Sequence, residues 1–164
     1  DNSHSFFGKV IAKFTGSKWT HSGIVFSHSW NYIIIAEALE RGFVLKKHSR
    51  KSLEKRYLKG TIQVRRSVQK LGGVKNSISR LLGVKYGWVQ LLKISWKIIS
   101  GKSLSADKEK TLICSEGVAI SLRGASDGRI DIGVEFGIET DYVTPKLLSL
   151  TKFLDTIDVT FLRT

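Results

Sequence analysis

Trp19-Thr20-His21-Ser22-Gly23-Ile24-Val25-Phe26, followed by Asn31-Tyr32-Ile33-Ile34-Ile35-Ala36-Glu37-Ala38-Leu39, is the stretch on which the reading of this chain turns. Both runs are rich in β-branched and aromatic residues, which predicts two strands joined through Ser27 to Trp30. Each carries a polar residue that an apolar strand does not need. His21 sits on a strand that otherwise reads as core, where an imidazole is costly unless partnered. Gly23, two residues on, shares its face and leaves room for another group to approach. Glu37 interrupts the more apolar run, and strand alternation sets it on the face of Ile33 and Ile35. A carboxylate there needs a partner, and an adjacent strand bearing His21 can supply one. The plainer readings are a core histidine bonded to backbone, and Glu40, a turn residue beside Arg41-Gly42, in place of Glu37.

Outward from these strands, Phe6, Phe7, Val10, Ile11 and Phe14 fall at helical spacing, predicting an amphipathic helix over 5–14 that Thr15-Gly16-Ser17 stops. Phe43 to Lys47 reads as a third strand and Thr61 to Arg66 as a fourth, with a charged helical crossover over Ser49 to Leu58. Beyond Gly72-Gly73, helical patterns cover Val74 to Leu82, Tyr86 to Ile99 and, after a polar loop over Ser100 to Lys110, Thr111 to Leu122. Arg123 to Gly137 has a loop-like composition. Thr144-Pro145 starts a helix through Leu154, with proline in its first turn, and Ile157 to Leu162 closes as a strand. No repeat or linker divides the chain. The expectation is one α+β domain over 1–164.

Length and composition agree. The 164 residues suffice for one domain with a sizeable core. A 41% apolar and 25% charged composition excludes a disordered chain. One cysteine excludes a disulfide framework and a thiolate-rich metal site. No apolar run reaches the roughly 18 residues of a membrane-spanning helix, and DNSHSFFGKV lacks the pattern of a signal peptide. The absence of methionine sets the expectation that Asp1 follows processing of a longer precursor or removal of an upstream region.

The charge is unevenly placed. Of the net +13, residues 1–110 hold 22 Lys and Arg against 6 Asp and Glu, whereas 111–164 hold 5 against 8. Arg41 to Arg66 is densest, with ten basic residues and one acid, Glu54. Such a field attracts polyanions: nucleic acid, anionic lipid headgroups or the anionic polymers of a cell envelope. A solvated face serving solubility is the alternative. Zinc-finger spacing, an RNA-binding signature and a helix-turn-helix pattern are all lacking, which disfavours nucleic acid.

Cys114 lies in Leu112-Ile113-Cys114-Ser115-Glu116-Gly117 at the start of a predicted helix. Unpaired N–H groups and the helix dipole there favour a thiolate, and the same groups can hold a developing oxyanion. A lone cysteine can equally be a small buried hydrophobe. A thiolate nucleophile needs a base with an orienting acceptor, and His21 with Glu37 fits. His4, His28 and His48 are assigned surface roles. No phosphate loop, dinucleotide fingerprint, calcium loop or metal-ligand spacing appears, so no cofactor and no metal is expected.

Helix, then Thr-Gly-Ser-x-Trp-Thr-His-Ser-Gly-Ile-Val, then Glu-Ala with a Gly-Phe-Val strand, then a late Ile-Cys-Ser-Glu helix resembles the circularly permuted papain-fold amidases. These belong to the NlpC-type superfamily, in its YiiX- and YaeF-like branch, with lecithin–retinol acyltransferases as distant relatives. Lys85-Tyr86-Gly87-Trp88 resembles the tyrosine-bearing segment ahead of the family's cysteine helix, and Tyr142-Val143-Thr144-Pro145 the Val-Thr-Pro helix start near its C-terminus. The likeness covers about residues 5–162. Gly87 stands where members often carry an acid, and some relatives have histidine in the place of Glu37.

The resemblance implies a curved antiparallel sheet packed against helices, in the permuted papain-like fold, and acyl transfer through a thioester. Cys114 would be the nucleophile, His21 the base and then acid, Glu37 the orienter, and the Cys114 N–H an oxyanion donor. Tyr86, Trp19 and Ser115 would bind substrate. The leading expectation is a peptidase or amidase acting on peptidoglycan at the cell envelope, where a basic enzyme is held near an anionic polymer. The second is a lipid acyl hydrolase or acyltransferase on an anionic membrane surface, suggested by Lys93 and Lys97 beside the apolar residues of Tyr86 to Ile99. The third is a non-catalytic basic module binding nucleic acid or another polyanion.

Overall fold

The computed structural model describes residues 12–13, 16–90, 100–101 and 111–158. Strands β1 (Gly23–His28), β2 (Tyr32–Leu39) and β3 (Gly42–Ser49) form an antiparallel sheet in that order. Next come helix α1 (Arg50–Leu58), strand β4 (Arg65–Ser67), helix α2 (Val74–Ser79) and the short strands β5 (Lys85–Tyr86) and β6 (Thr111–Leu112). Helices α3 (Cys114–Ala125) and α4 (Ile132–Phe136), a 3-10 turn at Thr140–Tyr142, helix α5 (Pro145–Leu150) and strand β7 (Leu154–Thr156) complete the order. β4 pairs antiparallel with β7, and β5 parallel with β6. The architecture is α+β, a small antiparallel sheet with several helices.

Local chemistry explains most of these elements. β2 is β-branched at Ile33, Ile34 and Ile35, and its two neighbours satisfy its backbone on both sides. A two-residue turn, Glu40-Arg41, joins it to β3 with Leu39 opposite Gly42. Gly42 has φ of 110°, and a Cβ there would lie 2.6 Å from the Val84 carbonyl oxygen, so the turn requires glycine. α4 starts on Asp131, whose Oδ1 accepts from Val134 N at 3.1 Å, and α5 on Thr144 with Pro145 in its first turn.

Several boundaries differ from the sequence reading. β1 begins at Gly23 instead of Trp19, because the Ser22 N–H turns toward Cys114 instead of toward β2. Tyr86 and Thr111-Leu112 are strand and not helix, for Lys85-Tyr86 and Thr111-Leu112 pair across a long interval. Arg123 to Gly137 is not all loop: α3 runs to Ala125 and α4 occupies Ile132–Phe136. α5 ends at Leu150, and Leu154 belongs to β7, held by Arg65, whose guanidinium donates to the carbonyls of Leu148, Thr151 and Leu154. The predicted helix over 5–14 and the strand over 157–162 lie largely outside the described residues.

α3 joins two apolar clusters. Val118, Ala119 and Leu122 pack with Ile130, Ile132, Val143, Leu148 and Leu154. Cys114, at its first residue, packs with Ala36, Ala38, Phe43, Ile78, Leu81 and Leu112. Small residues set the helix–sheet distance: a Cβ on Gly117 would sit 2.5 Å from Cε2 of the fully buried Phe43 ring. In an exposed helix, alanine for glycine stabilises by about 1 kcal/mol. At Gly117 the overpacked ring reverses the sign, and Gly117→Ala is expected to destabilise by about 1–3 kcal/mol. Urea unfolding of Gly117→Ala, Phe43→Leu and the double variant tests this. The double variant should lose less than the two single losses combined, whereas a neutral Gly117→Ala would refute the contact.

Candidate active site

Glu37 is the buried centre of the site, its side chain 7% exposed. Gly23 of β1 stands opposite it, and a Cβ on Gly23 would meet Ile35 at 2.6 Å, so the two strands approach closely there. Two residues before Gly23, His21 sets its Nε2 2.6 Å from Glu37 Oε2. From the other side, β3 brings His48, whose Nε2 lies 2.8 Å from Glu37 Oε1. Both carboxylate oxygens thus face an imidazole. His48 is no surface histidine, contrary to the sequence reading; its side chain is 17% exposed. On the ladder it pairs with Ile33, four residues from Val44, the partner of Glu37. Four residues span about 13 Å of a flat strand, a gap that two side chains close only where the sheet bends toward them.

α3 supplies the third side. Cys114 is 2% exposed and its sulfur hydrogen-bonds with the His21 ring. Nε2 of His21 is engaged by Glu37, which leaves Nδ1 for the sulfur. The Ser22 main-chain N–H also donates to the sulfur. The Ser22 hydroxyl lies beside it, buried and without a hydrogen bond of ordinary geometry. At the helix start, Glu116 Oε2 accepts from Ile113 N at 3.2 Å and from Gln90 Nε2 at 2.9 Å. The first intrahelical donor is Gly117, bonded to Ile113 O, so the preceding amides, Cys114 N–H included, have no helical acceptor.

Electrostatics follow from this packing. Burial alone would lower the His21 pKa, but the facing Cys114 sulfur and the Glu37 carboxylate outweigh it and raise it to about 9. Burial would raise Glu37, yet His21 and then His48 hold it down to about 2. Burial also opposes ionisation of Cys114, and the His21 charge and hydrogen bond overcome it, lowering the thiol pKa. Glu116 is pushed up to about 7, chiefly by burial. Tyr86 rises as well, from burial and from the nearby Cys114.

The other expected site residues are placed unevenly. Tyr86 is half-buried near Cys114, its ring centroid 4.5 Å from that of Trp88. Trp19 is partly exposed, with Lys18 Nζ 4.7 Å above its ring. Ser115 is fully buried, and its hydroxyl donates to Val143 O at 2.6 Å, which engages it in packing. Glu40 is exposed in the β2–β3 turn and His28 is exposed at the end of β1. His4 lies outside the described residues, as does most of the predicted Tyr86 to Ile99 helix, of which Trp88 to Gln90 are helical. Among the described residues no group of His, Cys, Asp and Glu could hold a metal ion. No described helix is long and apolar enough to cross a membrane.

No protein-family model matches this chain, and no curated protein matches it. The grouping of one thiol, one imidazole and one carboxylate therefore stands on its geometry. That geometry can stabilise a thiolate–imidazolium pair at the start of a helix.

The depressed Glu37 pKa links the site to stability. A carboxylate at about 2 when folded, against an ordinary 4.5, contributes stability that is complete above pH 4.5 and is lost as pH falls through 2. The contribution is on the order of 3 kcal/mol. Urea midpoints measured from pH 6 to pH 2 should therefore fall more steeply for the wild type than for Glu37→Gln. Parallel curves would show that the carboxylate is not held in its charged form.

Proposed function

We propose that the chain is a cysteine-dependent amide hydrolase of the permuted papain-like kind, with Cys114 as nucleophile, His21 as acid and base, and Glu37 as orienter. The observation that carries this is the continuous contact from Cys114 through His21 to Glu37. The Cys114 thiolate adds to the carbonyl carbon of the substrate, and the carbonyl oxygen takes the negative charge at the first turn of α3, whose amides have no helical acceptor. The C–N bond breaks as the His21 imidazolium gives its proton to the departing amine, leaving a thioester on Cys114. Neutral His21 then takes a proton from water, whose hydroxide adds to the thioester. The carboxylic acid leaves, and the thiolate–imidazolium pair is restored.

For the substrate we propose the peptide bonds of peptidoglycan. Lys46, Lys47, Lys51, Lys55 and Lys59 are exposed on β3, on α1 and just beyond it, and α1 buries none of its residues. This basic face suits an anionic envelope polymer whose peptide cross-links are the bonds to be cut. Incubation with purified peptidoglycan, followed by mass spectrometry, should yield released peptides for the wild type and none for Cys114→Ala. A panel of lipid esters in parallel tests the acyl-hydrolase alternative, and products from lipid alone would replace the peptidoglycan reading.

Reactivity tests the chemistry without a substrate. An ordinary thiol with pKa about 8.5 is almost wholly protonated at pH 6. Cys114 should react with iodoacetamide there, and His21→Ala should slow the reaction by about tenfold or more. His28→Ala removes an imidazole remote from the sulfur and should leave the rate unchanged. Equal rates in all three proteins, matching an unstructured thiol peptide, would indicate an inert cysteine and a binding role for the basic face.

A further inference from the structure

We infer that His48 is a positioning residue of the same site, fixing the Glu37 carboxylate so that Oε2 stays aimed at His21. The inference rests on the proposed thiolate–imidazolium reading. A glutamate side chain has three torsions, and rotation of its terminal carboxylate is nearly unhindered. Held by His21 alone, the group could turn and offer either oxygen. Here each oxygen has its own imidazole, at 2.6 Å and 2.8 Å. Glu37 is ionised, so both Nε2 atoms must donate, which assigns His48 a proton on Nε2. The two donors arrive from the two flanks of β2, β3 for His48 and the segment before β1 for His21. Together they fix the plane of the carboxylate in a way that neither does alone.

His48 meets the site at Glu37 Oε1, so its effect on the sulfur passes through Glu37 and His21. A merely structural His48 would satisfy a buried oxygen and raise the melting temperature, and nothing more. A positioning His48 also sets the reactivity of a sulfur it does not touch.

Iodoacetamide alkylation of Cys114 at pH 6 separates these roles, read beside thermal melts of the same proteins. His48→Ala and His48→Leu both lack a donor, and Leu retains the bulk should Ala fail to fold. Each should react about fivefold more slowly than the wild type while folded. His48→Gln carries an amide N–H at similar reach and should recover most of the rate. Donor-free variants that melt lower but react at the wild-type rate would overturn the proposal, as would a His48→Gln protein no faster than His48→Leu. His21→Ala, run beside them, distinguishes the two failures. If it reacts as fast as the wild type, the catalytic reading itself falls; if only the His48 variants do, the triad stands and His48 is structural.

Discussion

A carboxylate buried in the middle of a β-sheet is the constraint on which the site depends. Removing an ionised carboxylate from water costs several kcal/mol unless charge and hydrogen bonds replace the lost hydration. Glu37 finds both in two imidazoles, and each requirement of that arrangement is visible in the backbone. β2 must be the central strand so that neighbours can approach from both sides. Gly23 must lack a side chain so that the segment bearing His21 comes close. The sheet must bend so that His48, four residues along β3 from the partner of Glu37, reaches it. Replacing any one of these leaves a charge without its compensation.

The helix completes what the sheet begins. α3 is buried along most of its length and belongs to both apolar clusters, so its position is over-determined. Gly117 lets it approach the Phe43 ring, and that approach carries Cys114, one turn earlier, toward His21. The Cys114 sulfur is thus located by packing one turn away from it. The Glu116 carboxylate, fixed by Ile113 N and Gln90, holds the first turn in place.

How much of this was legible depended on whether the signal was local. The apolar strands with their misplaced His21 and Glu37 announced a buried pair, and Cys114 at a helix start marked the candidate nucleophile. His48 was hidden among lysines, where composition suggests solvent. The signal that could have found it was parity: a two-residue turn at Glu40-Arg41 pairs Glu37 with Val44, and His48 shares the face of Val44. Asp131 and Gly137 could likewise have marked the two ends of α4, but the surrounding glycines read as loop. β5 with β6, and β4 with β7, are pairings of two or three residues across long intervals. No periodicity exists in so few residues, and tertiary contact alone creates them. The clamp of Arg65 on three carbonyls near β7 is of the same kind.

The strength of the His21 perturbation bears on the proposed cycle. An imidazolium with a pKa near 9 is well suited to a resting ion pair but would be a reluctant proton donor and, once neutral, an unusually strong base. The largest influence raising it is the charge on Cys114, ahead of Glu37. In the proposed cycle that charge leaves the sulfur as the C–S bond forms to the carbonyl carbon. His21 would then keep Glu37 against the burial that lowers its pKa, so addition of the sulfur would move that pKa down. The fall favours loss of the proton to the departing amine and leaves a neutral ring to receive one from water. Hydrolysis of the thioester restores the thiolate, and with it the imidazolium. In the proposed cycle the nucleophile would thus regulate its own base, while Glu37, charged throughout, would keep the ring from turning between the two steps.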